Sequence, residues 1–444
     1  MKIRLALPAA VCALVLLSCG PGSATAGGKP EGTAPGTAAA AASGIPTIRF
    51  AYCWAHGFNE TMAARREAVK DSYDLVAEQS NGIQHRTKIL LDVSSNNLPD
   101  VFTFWSYDTN LRFFVDNDLI VDAQELFDAS EKLRREDFLD AALAATELDG
   151  RNWAIPYERF FGIFIANKKL LDGYGLPLPR TMADVAAMAS VLRPRGIVPL
   201  TMGSYLGDPG HLLFTALAYQ TPGAKADTEA MKRTGDFIYP GTAAAAEAAL
   251  SLVASGAIPE NTIEAGSWDY QVNQYNQRKA AMIYTFNWTL ALFDPAVAAE
   301  SVIIPMPRIG PGAADTSAFT VGGISQSLCV SKASWNDPDK RGAIIDFLEW
   351  IFSDEVFVAR TGQEGSLPTR RVELPEFGNP IYGKAYAYAA SVETYGLHEF
   401  YFNSPAAFDT YKEANDLLWS GSISAREFLD LVQGGMKEGT DRAR

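Results

Sequence analysis

Residues 149–170 read Asp149-Gly150-Arg151-Asn152-Trp153-Ala154-Ile155-Pro156-Tyr157-Glu158-Arg159-Phe160-Phe161-Gly162-Ile163-Phe164-Ile165-Ala166-Asn167-Lys168-Lys169-Leu170. The run Phe160 to Ile165 is continuously apolar, as a strand covered on both faces requires. Pro156 and Tyr157, just ahead of it, mark a passage of the chain from one lobe to another. Outward from this stretch, further strands are expected at Thr47–Tyr52, Val101–Phe104, Ile197–Met202, Ala281–Thr285 and Val302–Pro305.

Helical patterns alternate with these strands. Asn59 or Thr61 can cap a helix that carries Met62, Val69, Tyr73 and Val76 on one side. Thr181-Met182-Ala183-Asp184 reads as a capping box that opens a helix with Met182, Val185, Met188 and Leu192. Ile344, Phe347, Leu348, Ile351 and Phe352 keep helical spacing. Ser424-Ala425-Arg426-Glu427 fits a second capping box, ahead of Phe428, Leu431 and Val432. The alternation predicts α/β lobes with mostly parallel sheets. Ligands of such sheets bind beyond the carboxyl ends of the strands, so two lobes can turn two sets of strand ends toward one cleft.

The amino terminus has a different character. Lys2 and Arg4 precede an apolar stretch from Leu5 to Leu17, then Leu16-Leu17-Ser18-Cys19. This is the pattern of a secretory signal, and the core is too short to span a bilayer comfortably. The tetrapeptide resembles the bacterial lipobox, so residues 1–19 are expected to be a lipoprotein signal ending at Cys19, the lipidation site. Residues 20–44 are almost wholly Gly, Ala, Ser, Thr and Pro. They are expected to form a disordered tether of roughly 25–30 Å. The remaining length exceeds one simple core, and two lobes are the default.

Composition excludes some partners. The net charge is −14, or −16 once Lys2 and Arg4 leave. An acidic chain without a basic run binds nucleic acid and anionic lipid poorly. Cys53 and Cys329 are the cysteines left in the fold; they either pair in an oxidising compartment or stay as buried thiols. The four histidines, His56, His85, His211 and His398, show no ligand spacing, so neither a metal site nor a cofactor is expected. No GxSxG, HExxH, phosphate-binding GxxxxGK[ST] or GxGxxG occurs, and 52 acidic residues make a chance carboxylate pair uninformative. The expectation is a binding protein with no catalytic residues.

Aromatic residues beside short polar ones are more telling. Trp54 ends the first strand with His56 just beyond. Trp105 ends the Val101 strand, followed by Ser106 and Asp108. Trp288 follows the Ala281 strand beside Asn287. Tyr157 sits at the passage between lobes, and Trp268 precedes a helix. A flat ring covers the apolar face of a sugar, and Asp, Asn, Ser or His meets its hydroxyls.

In chain order, several stretches resemble the extracellular sugar-binding proteins of bacterial ABC transporters, solute-binding family one, to which maltose-binding protein belongs. They are Arg86-Thr87-Lys88-Ile89-Leu90 through Leu98-Pro99-Asp100-Val101-Phe102, then Asp149 to Tyr157. Ala166-Asn167-Lys168-Lys169-Leu170-Leu171 with Leu178-Pro179-Arg180-Thr181-Met182 follows. Arg278-Lys279-Ala280-Ala281-Met282 up to Asn287-Trp288 comes next. Gly322-Gly323 with Leu328-Cys329-Val330-Ser331-Lys332, and Gly365-Ser366-Leu367-Pro368-Thr369, complete the series. The resemblance covers roughly Ile48 to Val432.

It implies an α/β, two-lobed periplasmic-binding-protein fold (type II) with three hinge crossings. Residues 45–155 and 322–353 would form lobe I, and 157–320 and 355–440 lobe II. Trp288 matches the family's stacking tryptophan. Trp105, Ser106 and Asp108 fall in its variable sugar-contacting loop, and Gly323 would admit the ligand close to the backbone. Trp54 and His56 match by position only. The implied partners are a small-molecule sugar and the permease subunits of an ABC importer, with membrane contact through the lipid anchor alone and the protein a monomer, secreted and anchored at the cell envelope. One departure stands out: only Gln79 to His85 lie between the first helix and Arg86, so the family's second strand is expected to be short or missing. Alternatives are a surface glycosidase or lyase lipoprotein, and a binding protein for a non-sugar solute or for a sensor kinase.

Overall fold

In a computed structural model the chain is described over residues 44–53, 58–80, 82–105 and 108–443. The signal, Cys19 and all of the expected tether but residue 44 lie outside them. Residues from Ile45 onward form one unit, built on two β-sheets. In the first, the strand order is Asp74–Ser80, Thr47–Cys53, Val101–Trp105, Gln326–Val330 and Ile155–Pro156. In the second it is Glu393–Tyr395, Phe319–Ile324, Arg159–Asn167, Ala280–Phe286 and Val198–Thr201, with Ser301–Ile304 also on Arg159–Asn167.

The apolar run of the opening stretch is the spine of the second sheet. Arg159–Asn167 has strands on both edges, and its residues divide by parity. Phe160, Phe164 and Ala166 enter one core cluster, while Phe161, Ile163 and Ile165 enter another on the opposite face. Side chains alternate across a strand, so a strand with a core on each face must be apolar throughout. Each fully buried Phe or Ile here stabilises by about 1.5–3 kcal/mol.

The sheets are mixed rather than mostly parallel. Thr47–Cys53 is parallel to both its neighbours. Gln326–Val330 runs antiparallel to Val101–Trp105, and Arg159–Asn167 runs antiparallel to Ala280–Phe286, Ser301–Ile304 and Phe319–Ile324. The antiparallel pairs arise where the chain leaves one sheet for the other: Ile155–Pro156 leads directly into Arg159–Asn167, and Phe319–Ile324 directly into Gln326–Val330. These two passages lie side by side. Tyr157 N and Glu158 N donate to Gln326 O at 3.0 and 3.1 Å, and Ser325 N donates to Glu158 O at 3.0 Å. The helix Asp354–Glu364 also joins the halves: Val356 and Phe357 pack in the first sheet's core, and the same helix abuts the turn Asn287–Leu292.

The second strand is neither short nor missing. The first helix, Phe58–Val69, stops before Tyr73, and Asp74–Ser80 pairs along its whole length with Thr47–Cys53. Tyr73 and Val76 fit the helical spacing by coincidence. The turn at Lys70-Asp71-Ser72, closed by Ser72 N and Tyr73 N on Val69 O, ends the helix first.

Both capping boxes are formed. Thr181 and Asp184 exchange bonds at the start of Met182–Ala187. Ser424 and Glu427 do so before Ala425–Ala443, although Leu431 points outward, 46% exposed. Cys53 and Cys329 are buried free thiols, and burial pushes both pKa values up. The strand Val101–Trp105 lies between theirs, a separation of roughly 9–10 Å. A disulfide needs Cα atoms within about 7 Å. No helix among the described residues is long and apolar enough to cross a membrane.

Candidate functional site: a tryptophan-lined hollow between the sheets

Three of the predicted tryptophans share one hollow of about 550 Å³, with Trp105 on one wall and Trp268 and Trp288 on the other. Trp105 is the last residue of its strand, opposite Gln326, where the two sheets adjoin. His85 supports it from behind. Its Nε2 lies 2.7 Å from Thr103 O and its Nδ1 3.1 Å from Ser80 Oγ, and its ring meets Trp105 edge-on at 6.1 Å. Burial pushes the His85 pKa down to about 4, so this imidazole is neutral and structural. Arg86, Thr87 and Leu90 of the helix Gly82–Ser94 extend the same wall.

On the far wall Trp288 follows the strand Ala280–Phe286 and rests flat on Phe286. Trp268 does not precede its helix but opens it, with Ser267 Oγ capping Tyr270 N at 3.1 Å. Its indole stands at 88° to that of Trp288, centroids 5.6 Å apart. Phe160 completes the aromatic group, tilted on Trp288 at 5.9 Å. Arrangements of this kind add about 0.5–1.5 kcal/mol per pair to area burial and fix the ring planes.

The other predicted site residues are placed differently. Tyr157 is in the first sheet's core under the guanidinium of Arg360, which lies 3.7 Å from the ring centroid. Asn287 is fully buried, and its amide is committed to backbone: Oδ1 accepts from Phe161 N at 2.8 Å, and Nδ2 donates to Gly365 O at 2.9 Å and Arg159 O at 3.2 Å. Gly323 has φ +152°, which only glycine adopts readily. It lines a second hollow of about 390 Å³ with Arg159, Gly322 and Ile324. Phe160 and Phe400 border both hollows and meet edge to face at 6.1 Å. Trp54, His56 and Ser106 lie outside the described residues, and Asp108 opens the helix Asp108–Asp116.

Sequence reasoning missed the polar part of the far wall: Asp208, His211, Glu399, Asp409 and Lys412. Lys412 Nζ is 2.9 Å from Asp409. Asp208 and His211 flank the start of the helix Gly210–Ala218, whose preceding loop is anchored by Asp416. Its Oδ1 accepts from Ser204 Oγ at 2.6 Å and from Gly207 N at 3.0 Å. Gly207 has φ +86°, and a Cβ there would lie 2.6 Å from Lys412 Cβ. Among the described residues no cluster of His, Cys, Asp or Glu could hold a metal ion.

Residues 73–356, well over half the chain, match the family of bacterial extracellular solute-binding proteins. The chain belongs to that family. Its solved relatives share the two-lobed architecture. A chitin oligosaccharide binding protein superposes with a TM-score of 0.77 at 18% identity, covering 90% of this chain and 100% of its own. Maltose-bound T. maritima MalE3 gives 0.71 at 15% identity, covering 88% and 99%. A probable secreted solute-binding lipoprotein from Streptomyces coelicolor gives 0.69 at 21%, covering 88% and 98%. A sequence comparison with curated proteins finds no relative. At these identities the structural likeness establishes the fold alone. Family membership makes this solute-binding protein a binder rather than an enzyme, acting outside the cytoplasmic membrane.

Proposed function

We propose that this solute-binding protein is the substrate-binding lipoprotein of a carbohydrate ABC importer, capturing a sugar or oligosaccharide in the hollow between its two sheets and delivering it to the permease. The observation that carries this reading is that Trp105, at the end of a first-sheet strand, and the Trp268–Trp288 pair, from the helix and the turn beside the second sheet, line one hollow with carboxylates and an imidazole. Rings take the C–H faces of a pyranose and the polar groups take its hydroxyls. Solved relatives include proteins described as binding chitin oligosaccharide and as bound to maltose, which supports the same ligand class.

In this account the paired passages at Pro156–Arg159 and Ile324–Gln326, with the helix Asp354–Glu364, serve as the hinge. The lobes close by as much as the ligand prefers the closed form. Cys19 carries the lipid, and residues 20–44 tether the folded unit to the envelope. In the same reading Trp54, His56, Ser106 and Asp108 contribute further contacts to the sugar. The test is a thermal-shift screen against mono- and oligosaccharides with product analysis. At least one saccharide should raise the melting temperature and be recovered unaltered. A saccharide that is cleaved, or a whole panel without effect, contradicts the proposal.

A further inference from the structure

His211 offers the hollow an acceptor that nothing in the protein uses. Its side chain is only 4% exposed, held by Phe408 and Tyr411, whose rings meet it edge-on at 5.8 and 6.0 Å. Nδ1 lies 3.1 Å from the carbonyl of Gly207 and 3.3 Å from Asp208 Oδ1. Both partners only accept, so in the neutral ring Nδ1 carries the proton and Nε2 presents its lone pair. Nε2 is buried without a hydrogen-bond partner, 3.9 Å from Glu399 Oε2. Two acceptors this close cannot bond each other when the ring is neutral. Both residues line the same hollow.

Resting on the saccharide reading above, we infer that His211 Nε2 and Glu399 form a specificity subsite that accepts hydrogen bonds from two neighbouring hydroxyls of a neutral sugar. A diol brings two donors to two acceptors. A carboxylate or an ether oxygen brings none, and a uronate would also meet the charges of Asp208 and Glu399. The buried Nε2 is unsatisfied without the ligand and satisfied with it, which makes the contact discriminating: a buried acceptor left without its donor costs about 1–3 kcal/mol. The ring's orientation is set remotely. Asp416 holds Gly207 N, and Gly207 O holds Nδ1, so the acceptor direction is built into the loop before the saccharide arrives.

The experiment measures affinities of xylotriose, maltotriose and chitotriose by calorimetry for the wild type, His211→Gln and His211→Leu, each checked for an unchanged unliganded melting temperature. His211→Leu should bind the preferred trisaccharide about 10- to 100-fold more weakly. His211→Gln, which restores an acceptor, should recover most of that loss. In the wild type, the imidazole 15N resonance of His211 Nε2 should shift on saturation, a readout that survives even if the leucine variant misfolds. Equal affinities for wild type and His211→Leu, or an Nε2 resonance that stays put on saturation, overturn the His211 assignment alone. A wild type that binds none of the trisaccharides overturns the saccharide reading and this subsite with it.

Discussion

The indole of Trp288 lies on the ring of Phe286 with centroids 4.6 Å apart and planes 7° from parallel. Phe286 is fully buried as the last residue of its strand, whereas Trp288 is half-buried on the wall of the hollow. The core ring therefore supports one face of the indole, and the residue also lines the hollow. Trp268, perpendicular to it, blocks rotation. The platform is rigid before anything binds, which reduces the ordering cost of recognition.

Asn287, one residue away, acts as a structural clamp. Its amide joins the strand Arg159–Asn167 to the backbone at Gly365 through three bonds inside the protein. Asn287→Leu leaves those backbone groups buried and unpaired, and each can cost about 1–3 kcal/mol. Chemical denaturation should show a loss of about 2–5 kcal/mol. A variant as stable as wild type, with only its ligand affinity reduced, would contradict the clamp.

Gly207→Ala adds a methyl at φ +86° against Lys412. The loop must shift, and with it the carbonyl that orients His211. Strain of this kind costs about 1–3 kcal/mol. Thermal denaturation should show that loss, and saccharide affinity should fall together with it. Unchanged affinity in the folded variant would show that the loop does not orient the site.

His398 sets an acid sensitivity. It is fully buried, with Nε2 2.7 Å from the Tyr239 hydroxyl and Nδ1 3.2 Å from that of Tyr411, and burial pushes its pKa down to about 3. In the unfolded chain the same group titrates near 6.5. Between those values the unfolded state binds the proton and the folded state does not. Stability from this group is therefore full above about pH 6.5 and falls as pH drops, by up to about 1.4 kcal/mol per unit, down to about pH 3. His85 acts in the same sense. Glu364, whose carboxyl burial pushes up, acts in the opposite sense. The diagnostic is thus a difference: between pH 6.5 and 5, His398→Gln should lose stability less steeply than wild type in urea titrations. Identical slopes would contradict the assignment.

Local pattern carried much of this architecture. The run Phe160–Ile165 announced a strand with a core on each face, and the capping boxes at Thr181 and Ser424 marked true helix starts. Trp105 and Trp288 fall at strand ends, which topology places around one hollow. What stayed hidden was decided by long-range contact. Tyr73 and Val76 continue a helical period, yet pairing with Thr47–Cys53 draws the segment from Asp74 onward into a strand. Asn287 looks like a ligand group until its partners Phe161, Arg159 and Gly365 are known. Tyr157 follows the passage between the sheets, yet its ring turns into the core under Arg360. His211 and Glu399 lie far apart in the chain with no shared motif, and only the packing of the helix Gly210–Ala218 against the turn His398–Tyr401, where Phe214 meets His398 at 6.0 Å, brings them to one wall.

The most direct test of the central claim, that rings from both sheets grip one saccharide, is a calorimetric double-mutant cycle with Trp105→Ala and Trp288→Ala on the saccharide that most raises the melting temperature. Each single variant should remain folded and weaken binding by roughly 10-fold or more, an aromatic contact being worth about 1–3 kcal/mol. The double variant should depart from additivity, because closure brings both rings onto one ligand. Wild-type affinity in the double variant would contradict the account.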